Sequence, residues 1–246
     1  MALHITENLA YWHMPKTGGM SVYKYLQFFG QKYEWINGYA RHSRASNIPR
    51  AVLKGRTLFG TVRNPWDWYA SLYNMANTSN DKSLLEAYGN GESNFKAVLR
   101  GLTRPLDTKP PKNFGLVFDI EKGLEDIAYE EFMSSGVGLY SFVFKWVYGN
   151  KIDVFVDTLQ LEEGVGELLL LPPEILKGRV RPQNPSSIRP NYQGPNKESY
   201  DEEMIQWVYE ADKSLIETFK FKPFETLAKP TINAEELFFS PYFNRL

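Results

Sequence analysis

The stretch Trp12–Leu26, WHMPKTGGMSVYKYL, decides how the rest of the chain is read. The run Leu9–Met14 has the length and apolar composition of a buried strand, and it stops at Pro15. The chain then turns through Lys16, Thr17, Gly18 and Gly19. From Gly19 to Phe29 the residues Val22, Tyr25, Leu26 and Phe29 recur on one helical face. Glycines at such a turn let the main chain approach an anion closely. The start of the helix adds N–H groups without intrahelical partners and a partial positive charge. Lys16 supplies a full charge, and Thr17 and Ser21 supply hydroxyls. The order differs from a Walker A loop, GxxxxGK[ST], because here the lysine precedes the glycines.

Working outward, Thr57–Val62 (TLFGTV) reads as a second buried strand closed by Arg63. Asn64–Pro65 opens a helix with Asp67 in its first turn, and Ser71 follows Arg63 by eight residues inside it. Ile152–Val156 (IDVFV) is a third strand. Met204, Ile205, Val208, Tyr209, Leu215, Ile216 and Phe219 form one helical stripe, with Ser199 and Glu202 as a capping box ahead of it. This alternation predicts an α/β fold with a central parallel sheet flanked by helices, binding its ligand at the carboxyl ends of the strands. Arg63 would then stand beside the first loop if the two strands are neighbours. Residues 77–136, with Gly89–Asn90–Gly91, Pro105, Pro110 and Pro111, break the rhythm. They read as a variable surface insertion in a single domain spanning 1–246.

The chain has 246 residues, 43% of them hydrophobic, enough for a sizeable core without staples. It has no cysteine, which excludes disulfides, thiolate metal sites and a cysteine nucleophile. His4, His13 and His42 are too few for a transition-metal centre to be expected. No apolar run approaches the roughly 20 residues of a membrane span. The amino-terminal stretch lacks the pattern of a secretion signal, so a cytoplasmic protein is expected. A net charge of −1 speaks against general nucleic-acid binding. That average hides two basic windows. Between Asn8 and Trp66 nine lysines and arginines face the single acid Glu34. Between Ile175 and Lys197 no acid occurs, while Lys177, Arg179, Arg181, Arg189 and Lys197 do. Two such windows in an otherwise acidic chain point to a small, highly anionic ligand.

Together the two leading segments resemble the paired signatures of sulfotransferases that use PAPS (3′-phosphoadenosine 5′-phosphosulfate). PKTGGMS at Pro15–Ser21 is similar to their 5′-phosphosulfate loop, PKTGGTS. VRNPWDWYAS at Val62–Ser71 is similar to their 3′-phosphate motif, RNPxDxxxS, with the Arg-to-Ser spacing intact. The spacing between the motifs resembles bacterial-type and carbohydrate-type members. Between them, RHSRASNI at Arg41–Ile48 is similar to the HxxAxxI segment that carries a catalytic histidine in those members. Ile152–Leu161 resembles a later strand and loop, and Ser187–Phe219 the basic loop and terminal helix that close over the cofactor. Three departures stand out. Met20 replaces a threonine, Trp68 replaces a commonly basic residue, and a Glu-Asn pair usual after the later strand is absent at Gln160–Leu161.

The resemblance implies a P-loop-NTPase-like sulfotransferase fold and in-line transfer of a sulfuryl group from PAPS to an acceptor hydroxyl or amine, leaving PAP, with no metal required. Lys16 would neutralise charge on the leaving phosphate oxygen. The amides of Thr17, Gly18, Gly19, Met20 and Ser21 would hold the 5′-phosphate. Arg63 and Ser71 would bind the 3′-phosphate, Arg189 would add a clamp, and His42 would take the acceptor's proton. Arg41 and Arg44 flank His42 and disfavour its protonated form, as a base requires. The acceptor class is a small molecule or a saccharide, and nothing in the sequence fixes it or the oligomeric state. Two other readings use the same loop. One is a P-loop-related kinase of nucleosides or small molecules, although a Walker A sequence and a clear metal-binding Asp are missing. The other is a non-catalytic nucleotide-binding protein of the same fold, for which Met20 and the missing Glu-Asn pair speak. No GxSxG elbow supports hydrolase chemistry.

Overall fold

A computed structural model of the chain describes residues 3–28, 34–35, 44–78, 83–103, 125–172, 175 and 195–238. Its sheet is built on two apolar strands that follow one another in a hairpin, β1 (Leu3–Ile5) and β2 (Leu9–Trp12). The remaining strands are β3 (Glu34–Trp35), β4 (Thr57–Val62), β5 (Val154–Asp157) and β6 (Thr231–Asn233), in the spatial order β3-β1-β2-β4-β5-β6. The centre is parallel. Leu9 lies opposite Thr57 and Trp12 opposite Gly60, and on the other side of β4 Phe59 lies opposite Val154 and Val62 opposite Asp157.

The expectation of a parallel sheet therefore holds at the centre and needs correction at the edges, where β1, β3 and β6 pair antiparallel. The turn between β1 and β2 is too short for a crossover and leaves only an antiparallel return. Thr6 closes that turn with its N–H on the Leu9 carbonyl at 2.8 Å and its hydroxyl oxygen accepting from Leu9 N–H at 3.0 Å. The third expected strand starts two residues later than Ile152. Asp153 sits at its margin, where its N–H reaches the Leu58 carbonyl at 2.8 Å and its carboxylate accepts from Leu58 N–H at 2.7 Å. A side-chain oxygen thus stands where a ladder carbonyl would continue the strand.

Successive residues of a strand face opposite sides. Tyr11 and Phe59 look to one face, covered by α1 (Gly19–Phe28) and α8 (Leu161–Leu169), with Val22, Tyr25, Val156 and Val165 in the same cluster. Between α1 and α8 lie α2 (Arg50–Leu53), α3 (Pro65–Thr78), α4 (Ser83–Tyr88), α5 (Phe95–Thr103), α6 (Glu125–Ser135) and α7 (Leu139–Tyr148). Trp12 faces the other side, into a larger core with Trp66, Trp68, Tyr69, Phe144 and Phe155. The stretch 77–136 carries α4, α5 and α6. Its Leu85, Val98, Leu99, Leu102, Ala128 and Phe132 are fully buried in that larger core. Among the described residues no helix is long and apolar enough to cross a membrane.

The stripe from Met204 to Phe219 is two helices, α9 (Glu202–Ala211) and α10 (Lys213–Phe219). The break is at Asp212, whose carboxylate accepts from the Tyr69 hydroxyl and from Ser141 N–H, both at 2.8 Å. The expected capping box also shifts. Asp201 caps α9 by accepting from Met204 N–H at 2.9 Å, while Ser199 pairs with Asn196 in the preceding turn. The last helix, α11 (Ala234–Phe238), follows β6.

Candidate functional site

The parallel centre of the sheet brings three connections to one edge: His13–Gly18 after β2, Arg63–Asn64 after β4, and Thr158–Gln160 after β5. The first of these is held in an unusual way. Four consecutive carbonyls each receive a side-chain donor. The Thr17 hydroxyl donates to Met14 at 2.9 Å, the Trp68 indole N–H to Pro15 at 2.9 Å, the Arg63 Nη1 to Lys16 at 3.2 Å and the Thr158 hydroxyl to Thr17 at 3.3 Å. With carbonyls 14–17 tied back to the scaffold, the N–H groups of the turn and of Gly19 and Met20 at the head of α1 are left to meet a ligand. Lys16 itself has φ 64° and Gly18 φ 80°, so two left-handed residues bend the chain within three positions. The Gly18 carbonyl then accepts from Ser21 and Val22 N–H at 2.8 and 3.1 Å, starting α1.

Gly19 is required by close approach. A Cβ there would come within 2.1 Å of the His13 imidazole, which lies against the first turn of α1. This histidine escaped the sequence reading, because an imidazole two residues before a proline carries no pattern of its own. Thr17 and Thr61 were equally hard to place. The Thr17 hydroxyl, expected to be at the ligand's disposal, points down into the sheet. Besides Met14 it meets the Thr61 hydroxyl at 2.7 Å, which in turn meets the Tyr11 hydroxyl at 3.0 Å. All three residues are buried. Ser21 is also buried, whereas Met20 is 56% exposed at the front of α1.

Arg63 projects from the end of β4 beside this loop. The Tyr140 hydroxyl accepts from Arg63 N–H at 3.0 Å and donates to its carbonyl at 2.7 Å, fixing that main chain from α7. The Tyr148 hydroxyl grips Thr61 in the same manner, at 3.0 and 2.8 Å. Trp68 packs on Tyr140 with ring centroids 4.8 Å apart, so the indole in the commonly basic position is a buried brace that links α3, α7 and the loop. Asn64 caps α3 through Trp66 N–H at 3.2 Å and donates to the carbonyls of Lys222 and Glu225, tying the carboxyl-terminal segment to the same edge. Ser71 lies inside α3 and is half-buried. Thr158 bridges two connections, donating to Val62 at 2.8 Å as well as to Thr17. Gln160, in the region of the missing Glu-Asn pair, serves the scaffold by donating to Asp157 and Leu227.

The electrostatics follow from this packing. Burial, and then the nearby Arg63 guanidinium, push the Lys16 ammonium down to about 8. Burial raises the Asp67 carboxyl above its ordinary range, Arg63 opposes that rise, and Asp157 adds to it. The site thus holds two cations close together in a desolvated setting, an arrangement that favours an anion bridging them. Lys16 and Arg63 are brought together as the sequence implied. His42 and Arg189 lie outside the described residues. Set against family models, curated proteins and solved structures, the chain matches none of them.

Proposed function

We propose that the chain is a PAPS-dependent sulfotransferase of P-loop-like fold. The observation that carries this reading is the pairing of the Lys16 loop with Arg63 at the carboxyl ends of adjacent parallel strands, in contact through a 3.2 Å hydrogen bond. In the proposed reaction an acceptor oxygen or nitrogen attacks sulfur in line. The bond between sulfur and the bridging 5′-phosphate oxygen breaks, and that oxygen leaves on PAP with the electron pair. Lys16 offsets the charge that grows on it, an interaction stronger in the transition state than in the ground state. The N–H groups of Thr17–Met20 hold the 5′-phosphate, the Ser21 N–H being taken by the Gly18 carbonyl, and Arg63 with Ser71 takes the 3′-phosphate. The acceptor's proton passes to His42. Met20 removes one hydroxyl donor relative to the family pattern, worth about 1 kcal/mol. The acceptor is a small molecule or saccharide.

Thermal unfolding in the presence of nucleotides tests this reading. PAP at tens of micromolar raises the melting temperature, because a ligand bound only by the folded state stabilises it by mass action. ATP, which lacks a 3′-phosphate, does much less, and EDTA leaves the PAP effect unchanged. A larger shift with ATP and magnesium than with PAP overturns the proposal in favour of a kinase.

A further inference from the structure

Of the four donors that hold carbonyls 14–17, Thr17, Trp68 and Thr158 are neutral. Arg63 is the charged one, and the residue is half-buried beside the loop. It is therefore the one tie for which an incoming anion competes. The residue it holds is also the one under strain. Lys16 has φ 64°, a conformation unfavourable for an L-residue other than glycine that persists only where its surroundings impose it. The main chain of Arg63 cannot follow its side chain, because Tyr140 grips both its N–H and its carbonyl.

We propose that Arg63 is a positioning residue for Lys16, a latch that couples the two halves of the anion site: an anionic group drawn to the Arg63 guanidinium competes with the Lys16 carbonyl for it, and the lysine turn responds. The inference rests on reading Lys16 and Arg63 as one anion site, and not on which anion occupies it. It goes beyond phosphate recognition by Arg63. Under this coupling a ligand that carries both anionic groups is bound differently from the sum of its halves, because the first group to arrive changes the geometry offered to the second. Among the described residues, the charged groups near the latch are Arg63 after β4, Asp67 on α3 and Asp157 at the end of β5. Arg63 is the one that acts on the Lys16 ammonium.

The test uses the ligand-free protein, so it does not depend on PAP binding. Lys16 reactivity toward a limiting acylating reagent is followed against pH by mass spectrometry, and amide hydrogen exchange is followed at residues 16–19. Arg63→Gln removes the charge and keeps an N–H donor; Arg63→Met removes both and keeps the apolar stem. The midpoint expected for wild-type Lys16 is near pH 8, the value to which burial and Arg63 push its ammonium. In both variants the midpoint moves up by about one pH unit, as loss of a neighbouring cation requires. Exchange at 16–19 rises roughly tenfold in Arg63→Met and much less in Arg63→Gln, where the donor rescues the turn. Urea unfolding shows whether each variant is folded, and Arg63→Gln carries the midpoint test if Arg63→Met is not. An unmoved midpoint in either folded variant, or equal exchange in the two folded variants, overturns the proposal. Absence of a PAP-induced thermal shift would sink the sulfotransferase reading and leave this outcome untouched.

Discussion

At the scale of the residue, Lys16 carries the proposed chemistry and also a measurable signature. Its ammonium is held near 8, first by burial and then by Arg63. A bound anion favours the protonated form and moves that value back up. At pH 8 about half of the free protein has lost this proton, so PAP binding takes up about half a proton there and almost none at pH 6. The phosphates of PAP add no titration of their own at pH 8, since their second ionisation is complete well below it. PAP affinity therefore falls as pH rises from 8 toward 10. Calorimetry in two buffers of different ionisation enthalpy measures the uptake, and Lys16→Ala abolishes it. Uptake that survives in Lys16→Ala belongs to another group. Stability changes with pH in the opposite direction to affinity. The folded state disfavours the charged lysine, so its cost is fully present below pH 8 and relieved as pH climbs toward 10.5, where the unfolded chain also loses the proton.

At the scale of the element, the unit that matters is β2, its turn and α1. The pair Gly18–Gly19 looks uniform in sequence, yet the two glycines serve different needs. Gly18 supplies a left-handed backbone, and Gly19 supplies space for the His13 ring. Gly19→Ala brings a Cβ into that imidazole and destabilises the protein by about 1–3 kcal/mol, the range for forcing an extra methyl into a packed site. Gly19→Ala in a His13→Ala background costs far less. The coupling between the two changes, read from chemical unfolding of the single and double variants, is then at least 1 kcal/mol. Additive losses would place the fault in the glycine's backbone instead. The Thr17–Thr61–Tyr11 hydroxyls below the turn make a second case. Thr17→Val leaves the Met14 carbonyl without this donor and costs about 1–3 kcal/mol in urea unfolding, while Thr17→Ser restores most of it. Equal loss in the two variants would show that the methyl, not the hydroxyl, holds the turn.

At the scale of the whole molecule, Asp212 joins parts of the chain that are remote in sequence. It accepts from Tyr69 on α3 and from Ser141 in the first turn of α7, where Gly138 leaves room for its carboxylate. Burial raises its carboxyl to about 6, against the bonds from Ser141 and Tyr69 that lower it. A folded value above the unfolded one means that the native state binds the extra proton between about pH 4 and 6. Stability from this group is thus highest below pH 4, falls through the interval and levels off above pH 6. Unfolding free energies at pH 4.5, 5.5 and 7 show a decline in the wild type, about 2 kcal/mol of which is absent in Asp212→Asn. That variant keeps an acceptor for Ser141 N–H. Parallel pH profiles for the two proteins would remove Asp212 from the account.

What the sequence determined by itself was local. LAYWHM, TLFGTV and IDVFV read as strands because their apolar runs have strand length and are bounded by turn formers, although the first ends and the third starts differently in the sheet. The glycine turn with Lys16 reads as an anion loop because strand, turn and helix follow one another without a gap. Arg63 and Ser71 stood out only because their spacing resembles the 3′-phosphate motif of sulfotransferases. Asp212 was invisible inside a continuous helical stripe, since periodicity registers apolar positions and says nothing of a carboxylate drawn to a distant tyrosine. The antiparallel edges depended on hairpin closure and on which strand reached the rim, and neither leaves a pattern in composition. The burial of Leu85, Val98 and Phe132 was masked by short helices separated by proline-bearing stretches. Only the tertiary structure decided that the Thr17 hydroxyl turns inward, that Trp68 braces the loop and that Arg63 fastens the Lys16 carbonyl. The physical reason is common to all of these. A hydrogen bond between residues 44 to 53 positions apart is fixed by the register of β2 against β4, and register belongs to the assembled sheet rather than to either strand.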